Sequence, residues 1–141
     1  MKIRKVFASP GLTGFYTDDL EAITQDARRD GFIYAGSPRT SGFRAIRQKG
    51  EAVSVLIVLE DGQIAYGDCA TVQYAGVGGR DPVFKAQEFI DLIETQLASR
   101  LVGRKLDSFR RLAEEFDRLP WGEGSCTAPC DMDSVRPFWT L

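Results

Sequence analysis

The segment spanning residues 51–82 constrains the fold most strongly, because it carries the pattern of a β-hairpin. Residues 53–59 are a nearly unbroken apolar run rich in β-branched side chains, and residues 63–72 alternate between polar and apolar. Asp61 and Gly62 separate the two runs, and Asp-Gly is a strong signal for a two-residue type I′ turn with positive φ at both residues. The segment therefore predicts two antiparallel strands joined by a tight turn.

The first strand of this hairpin is apolar on both faces. One predicted face carries Val53, Val55, Ile57 and Leu59, and the other carries Leu56 and Val58. Such a strand is usually central in its sheet or covered on both sides. Gln73, Tyr74 and a glycine-rich loop follow the hairpin. Polar residues placed where a core strand gives way to a loop are frequent functional positions, so this end of the hairpin is the candidate site.

The chain contains no histidine, which restricts the chemistry it can perform by itself. Histidine is the commonest general base and metal ligand, so a Ser-His-Asp triad and a histidine-based zinc site are excluded. A net charge of −2 makes nucleic acid a poor partner. No run approaches the roughly 18 apolar residues of a membrane span. Three cysteines without a secretory signal predict a reducing compartment, and hence the cytoplasm.

The first 50 residues contain weaker signals. Residues 3–8 read as a strand that Ser9-Pro10-Gly11 ends, since Pro-Gly marks a turn. Thr17-Asp18-Asp19 is a candidate cap for a short helix through about Arg28, with Leu20 and Ile23 on its buried face. Residues 30–50 are rich in glycine and aromatics. They are either a long surface connection pinned by its aromatic side chains or a functional lid.

Two amphipathic helices are predicted after the hairpin. Asp81-Pro82 resembles a helix start, and Gly103 a helix end. Asp107 or Ser108 is the candidate cap of the second helix, which Pro120 stops. The apolar positions are Val83, Ala86, Phe89, Ile90, Ile93, Leu97 and Leu101, then Phe109, Leu112, Ala113, Phe116 and Leu119. Strands followed by helices predict an α+β fold, a small antiparallel meander with helices on one face.

Three further features predict no catalytic or metal-binding residue. The loop Gly76-Val77-Gly78-Gly79 lacks the lysine and hydroxyl of a phosphate-binding loop, so a linker is favoured over an anion cradle. Cys126 and Cys130 lack the further ligands of a zinc site. The acidic run at residues 114–117 reads as a solvated helix face.

The sequence resembles the methylaspartate ammonia-lyases of the enolase superfamily from Met1 to about Asp117. The motifs that recur in that family are PGLTGFY at 10–16, DGF at 30–32, RQKGE at 47–51, LEDGQ at 59–63, GDCA at 67–70, VQY at 72–74, GGRDP at 78–82 and EEFD at 114–117. The resemblance implies that residues 1–119 are an enolase-superfamily N-terminal capping domain, a three-stranded antiparallel meander followed by helices. In the family a (β/α)₈ barrel of roughly 250 residues follows.

The resemblance also implies a chemistry. The family eliminates ammonia from 3-methylaspartate to give mesaconate, using Mg²⁺ held by barrel carboxylates, a barrel lysine as base and a barrel histidine. None of these groups belongs to residues 1–141, so this chain by itself is expected to be inactive. By resemblance Gln73 contacts the substrate near its amine and carboxylate end, although it could instead only tie off a strand. Residues 13–16 are expected to help shape the roof of the pocket.

Two function classes remain open at this point. One is the substrate-covering domain of a lyase that forms a homodimer in the full-length family. The other is a free-standing α+β module that binds a small acid or a protein partner. An apolar, exposed underside would favour the lyase domain, and a polar, closed one the module.

Residues 120–141 depart from the family pattern, in which a helix resembling LHTAIRYG follows. If the gene is read one base earlier, each new codon consists of the last base of one codon and the first two bases of the next. The new codon must encode glycine at Met132-Asp133 and arginine or a stop at Cys130-Asp131. At Asp131-Met132 it must encode tyrosine or histidine. The shifted frame can thus encode Arg-Tyr-Gly at the place where the family has it, and the genetic code allows few other residues there. The hypothesis is that residues 120–141 are a non-family tail, the family helix translated in a shifted frame, and that they are disordered.

Overall fold

A computed structural model describes residues 1–75 and 83–118 and contains a four-stranded sheet with helices packed on one face. The strands are β1 (Ile3–Asp19), β2 (Arg28–Asp30), β3 (Ile33–Ala35), β4 (Arg47–Leu59), β5 (Ile64–Ala70) and β6 (Tyr74–Ala75). The helices are α1 (Leu20–Gln25), α2 (Ala86–Leu92), α3 (Ala98–Leu101) and α4 (Phe109–Asp117), with a π-helical turn, Ile93–Leu97, joining α2 to α3.

The sheet has the strand order β5-β4-β1-β6 and contains the predicted three-stranded meander. Strand β4 lies between β1 and β5 and is antiparallel to both. The short β2–β3 hairpin is inserted between β1 and β4, and β6 pairs in parallel with the end of β1 at Asp18 and Asp19. The α+β prediction is confirmed, with β6 as an addition that the sequence pattern did not indicate.

The hairpin between β4 and β5 is present, but its turn is not type I′. Gly62 has a φ of 87°, whereas no other type of residue in the described ranges has a positive φ, so Asp61 does not. The Gly62 N–H donates to the Leu59 carbonyl at 3.1 Å, and the Leu59 N–H donates to the Gln63 carbonyl at 2.9 Å. This is the three-residue loop in which one glycine supplies the left-handed residue.

Strand β1 is much longer than predicted, because Ser9-Pro10-Gly11 does not end it. Pro10 lies opposite Val53 and Gly11 opposite Ala52, within the β1–β4 ladder. β1 meets β6 only at its last two residues, so at Pro10 it is an edge strand. A proline is tolerated there because its missing N–H is not needed by a second neighbour.

Helix α1 and the connection after it also differ from the prediction. α1 ends at Gln25, not near Arg28, and its buried residue is Ala22, whereas Leu20 and Ile23 are half-buried. The stretch 30–50 that was predicted to be irregular contains β3, and β4 starts at Arg47, so the irregular connection is limited to residues 36–46. Its Phe43 is buried against Ala75 and Val83, which confirms pinning by an aromatic side chain.

The helix after the hairpin begins at Ala86 and ends as predicted. The Ala86 N–H donates to Glu51 Oε2 of β4 at 2.7 Å, so a side chain from the sheet caps the helix. Asp81 and Pro82 lie outside the described residues, but residues 83–85 are described and are not helical, so the predicted start of the helix was too early. The helix ends at Leu101, followed by Gly103 with a φ of 84°.

Helix α4 is capped by Ser108, as predicted, through a 3.5 Å bond from the Arg111 N–H. Leu112 and Phe116 pack on the core, whereas Phe109, predicted on the apolar stripe, is exposed. The predicted end of this helix at Leu119-Pro120 lies outside the described residues.

The core lies between the sheet and α2–α4. One cluster joins Ile3, Leu59 and Leu101, and another joins Val53, Ala86 and Ile90. Val55 and Ile57 pack against these clusters, so the predicted inner face of β4 is confirmed. The helices thus cover the sheet face that the alternation of apolar residues in β4 indicated.

Candidate functional site

Gln73 lies in the three-residue connection between β5 and β6, not at the end of a strand as predicted. β5 ends at Ala70, and β6 begins at Tyr74. The Gln73 side chain is exposed, and its Nε2 donates to the Tyr74 hydroxyl at 3.4 Å, a long and weak hydrogen bond. The amide is therefore available to a group outside the described residues.

The main chain of this connection is held at each of its three residues. The Thr71 N–H donates to the Glu51 carbonyl at 2.9 Å, and the Thr17 hydroxyl donates to the Val72 carbonyl at 3.1 Å. The Asp18 N–H donates to the Gln73 carbonyl at 2.7 Å. An exposed amide thus stands on a fixed main chain.

The residues that hold this connection are polar, consecutive and buried: Thr17, Asp18 and Asp19 are each at most 1% exposed. The sequence analysis considered this triplet only as a helix cap. Asp19 does cap α1, through a 3.3 Å bond from the Ala22 N–H. Three consecutive polar residues at the end of a strand could have indicated a hydrogen-bonded network in the sequence, since buried polar groups need partners.

The Asp19 carboxylate fastens the loop before β4 to the end of β1. It accepts hydrogen bonds from the Thr40 hydroxyl at 2.7 Å and from the N–H groups of Thr40 and Arg39 at 2.9 and 2.6 Å. Burial alone would raise the pKa of Asp19, but the bonds from Thr40, Arg39 and Ala22 outweigh it and lower that pKa. Asp19 therefore remains ionised, and its oxygens are used in hydrogen bonds within the protein.

Asp18 is paired with Arg47 of β4. Two guanidinium nitrogens, Nε and Nη2, donate to the two carboxylate oxygens at 2.7 and 2.6 Å. The hydrogen bond to Asp18 is the main cause of a raised Arg47 pKa. The Arg47 guanidinium carbon also lies 4.9 Å from the Tyr34 ring centre and 5.2 Å from that of Phe32, distances typical of cation–π contact.

Residues 13–16, the predicted roof-shaping segment, form an irregularity within β1. The β1–β4 register shifts between Leu12 and Tyr16, and the Thr13 hydroxyl donates to the Phe15 carbonyl at 2.7 Å. Tyr16 packs edge-on against Phe32 with ring centres 5.4 Å apart. Tyr16 thus lies beside Arg47, and Asp18, two residues further along β1, bonds to the Gln73 carbonyl.

Large apolar side chains are exposed at this end of the sheet. Those that are more than 40% exposed are Leu12, Phe15, Tyr16, Phe32, Ile33, Val72 and Tyr74. A group of exposed aromatic and aliphatic side chains of this size is typical of a surface that another protein segment covers.

Residues 1–75 and 83–118 contain no group of three or more histidine, cysteine, aspartate or glutamate side chains able to hold a metal ion. Within the same ranges no helix is long and apolar enough to cross a membrane. The loop at residues 76–79 and both Cys126 and Cys130 lie outside the described residues. Cys69 is a free, half-buried thiol whose pKa is raised by burial.

Comparison with known families gives a match over residues 1–129 to the family described as methylaspartate ammonia-lyase N-terminus. The chain belongs to this family. Its relatives include the methylaspartate ammonia-lyase of Clostridium tetanomorphum, 58% identical over 119 residues, which are 84% of this chain and 29% of that one. Methylaspartate ammonia-lyase 2 of Carboxydothermus hydrogenoformans is 56% identical over 118 residues, again 84% of this chain and 28% of the relative.

Solved structures of methylaspartate ammonia-lyases share the fold. The magnesium complex of β-methylaspartase from Clostridium tetanomorphum matches 91% of this chain and 31% of its own, with a TM-score of 0.82 and 55% identity. A Q73A mutant of that enzyme matches 89% of this chain and 30% of its own, with a TM-score of 0.82 and 54% identity. The Citrobacter amalonaticus enzyme containing (2S,3S)-3-methylaspartic acid matches 84% of this chain and 29% of its own, with a TM-score of 0.77 and 49% identity.

The chain spans just under a third of the length of these relatives. The fold expected from the resemblance, an N-terminal α+β domain, is confirmed by this likeness.

Proposed function

We propose that this chain is the substrate-covering N-terminal domain of a methylaspartate ammonia-lyase, in which Gln73 contacts the substrate. The observation that carries the proposal is the combination of a family match with an exposed amide on a main chain held at each residue. The reaction is elimination of ammonia from 3-methylaspartate to give mesaconate. One relative has been solved with (2S,3S)-3-methylaspartic acid.

A neutral glutamine suits such a contact. Its amide offers two donors and one acceptor, so it can bond both a carboxylate and an amine while adding no charge to the pocket. Since the Gln73 carbonyl is bonded to the Asp18 N–H, the conformational entropy that Gln73 itself loses on binding comes mainly from its side chain. The Q73A mutant of the Clostridium tetanomorphum enzyme gives further support, since a glutamine of the same number was changed there.

Residues 1–75 and 83–118 do not fit a magnesium ion. They contain no group of three or more potential metal-ligating side chains, and the buried carboxylates of Asp18 and Asp19 are bonded to Arg47 and to the Arg39-Thr40 segment. The Mg²⁺ of the proposed enzyme, for which the magnesium complex of one relative gives support, is therefore assigned to ligands in the part of the enzyme that follows this domain. The proposed enzyme is a cytoplasmic homodimer.

The exposed apolar side chains around Gln73 favour this proposal over a free-standing binding module. A module should present a polar surface with one pocket, whereas Tyr16, Phe32 and Tyr74 are each more than 40% exposed at the same end of the sheet. Docking of a catalytic barrel would cover such a surface.

The test is a chimera in which residues 1–118 replace the matching segment of the Clostridium tetanomorphum enzyme. Formation of mesaconate is followed by its ultraviolet absorbance. We expect an active chimera whose KM for 3-methylaspartate rises roughly ten- to 100-fold on Gln73→Ala, the loss expected for one hydrogen bond to a charged group. The matched control is Gln63→Ala, an exposed glutamine at the opposite end of β5, which should leave KM unchanged.

Two results would contradict the proposal. One is a folded but inactive chimera. The other is an active chimera in which Gln73→Ala and Gln63→Ala have the same kinetics as the parent, across several amines tested in the reverse reaction. Gln73 would then be a structural residue only.

A further inference from the structure

We propose that Asp18 and Arg47 are a positioning pair that sets where Gln73 presents its amide, an inference that rests on the proposed role of Gln73 in substrate binding. The two residues lie 29 positions apart in the sequence and meet across the β1–β4 ladder. Asp18 is not the cap of α1, although the sequence analysis placed it in a candidate capping triplet; Asp19 is the cap.

Arg47 is not free to bind a substrate carboxylate itself. Its Nε and Nη2 donate to the two oxygens of Asp18, and its Nη1 donates to the Phe32 carbonyl at 2.7 Å. Every nitrogen of the guanidinium thus has a protein partner, and the side chain is 17% exposed. A role through a neighbour therefore fits this geometry better than direct contact with a ligand.

The guanidinium joins three parts of the fold at one point. It extends from β4, donates hydrogen bonds to the Asp18 carboxylate on β1, and donates another to the carbonyl of Phe32 at the tip of the β2–β3 hairpin. The rings of Tyr34, Phe32 and Tyr16 lie 4.9, 5.2 and 6.0 Å from its central carbon. A planar, bidentate contact enclosed by aromatic rings has much less rotational freedom than a lysine ammonium in the same place.

Asp18 passes this constraint to Gln73 through the backbone. The side chain of Asp18 is 1% exposed, and Arg47 is its one ion-pair partner within residues 1–75 and 83–118, so separating the two would leave a buried charge unpaired there. Its N–H donates to the Gln73 carbonyl at 2.7 Å, and Asp18 lies opposite Tyr74, whose hydroxyl accepts from the Gln73 amide. A shift of the Asp18 main chain must therefore shift Gln73.

The pair lies apart from the clusters that hold the sheet to the helices. Those clusters involve Ile3, Leu59 and Leu101 at one end and Val53 with Ala86 in the middle. Loosening the pair should therefore affect the connection to β6 more than the distant end of the sheet.

The experiment measures amide hydrogen exchange by NMR in the 141-residue chain and its Arg47→Lys variant. Lysine keeps the charge but cannot reproduce the two parallel bonds. We expect the Asp18 amide to exchange at least tenfold faster, while the amides of Leu59 and Glu60, bonded to Gln63 and Lys2, stay within twofold. The matched control is Arg104→Lys, which alters the equally bidentate but exposed pair with Glu115 and should change none of the three.

Equal acceleration of all three amides, or no change at Asp18, would overturn the inference. If Arg47→Lys fails to fold, the neutral double variant Asp18→Asn with Arg47→Gln replaces it, since it leaves no buried unpaired charge. The same local pattern is expected, and protection at Asp18 equal to that of the parent would overturn the inference.

The kinetic arm uses the chimera described above. Arg47→Lys should raise KM for 3-methylaspartate several-fold with kcat within twofold, and should add nothing to a chain that already carries Gln73→Ala. Independent, additive effects would contradict a role through Gln73. If Gln73→Ala itself has no kinetic effect, the proposed function of Gln73 fails, whereas amide exchange still decides whether the pair holds the segment.

Discussion

Replacing Gly50 with alanine tests whether β1 and β4 approach each other as closely as the structure indicates. Gly50 is buried in β4, beside the irregular segment of β1. A Cβ at this position would overlap the Thr13 hydroxyl, and it would lie 2.7 Å from Thr71 Cγ2 and 2.9 Å from the Phe15 carbonyl oxygen. The Phe15 oxygen is backbone and cannot rotate away.

The expected cost follows from these contacts. The Thr13 hydroxyl already donates to the Phe15 carbonyl, so the two obstacles must move together. Forcing one extra carbon into a packed site costs about 1–3 kcal/mol. We therefore expect Gly50→Ala to lower the free energy of unfolding by that amount.

Gly67→Ala is the matched control. Gly67 lies in β5 of the same sheet, opposite Val55, and a Cβ there would have no atom within 4 Å. An unstrained glycine-to-alanine change usually stabilises by about 0.4–1 kcal/mol, because it restricts the unfolded chain. Urea unfolding of the two variants, followed by circular dichroism, should separate them by about 1.5–4 kcal/mol. Equal stability of the two variants would refute the close approach of Gly50 to residues 13–15.

Three further predictions concern Asp19, the reaction and the tail. The folded pKa of Asp19 lies below its ordinary value of 3.8, so the contribution of its carboxylate to stability is fully present above that pH and is lost as pH falls through the folded pKa. The difference in free energy of unfolding between the parent and Asp19→Asn, measured by urea unfolding from pH 6 to 2.5, should therefore shrink below about pH 4. A difference that stays constant over this range would contradict the prediction. The 141-residue chain alone should form no mesaconate from 3-methylaspartate with or without Mg²⁺, since the catalytic groups are assigned to the barrel; metal-dependent absorbance from mesaconate would refute this. We further propose that residues 120–141 come from a shifted frame, so the coding DNA read one base earlier near Ser125 should open into a barrel sequence, and a stop codon there would contradict it.

Elements that depend on local chemistry could be predicted from the sequence. Gly103 marked the end of α3 and Ser108 the start of α4, since a left-handed glycine and a capping hydroxyl act on neighbouring residues. The inner face of β4 followed from its alternation. The hairpin itself was found for the same reason, although its turn type was wrong because one positive φ at Gly62 is sufficient.

Features that depend on strand register could not be predicted. Whether Pro10 ends β1 or continues it depends on which neighbours the strand has at that point. The contact between Asp18 and Arg47 has no characteristic spacing, since it follows from pairing across the β1–β4 ladder. Gln73 was singled out as a polar residue after a core strand and by family resemblance, and its substrate role stays a prediction.

The most direct test of the central proposal is a crystal structure of the active chimera with 3-methylaspartate bound. The account predicts that an atom of the Gln73 side-chain amide lies within about 3.2 Å of an amine or carboxylate atom of the substrate. It also predicts that the Asp18 N–H still donates to the Gln73 carbonyl. A bound substrate more than about 5 Å from the Gln73 amide, with no bridging water, would contradict the account.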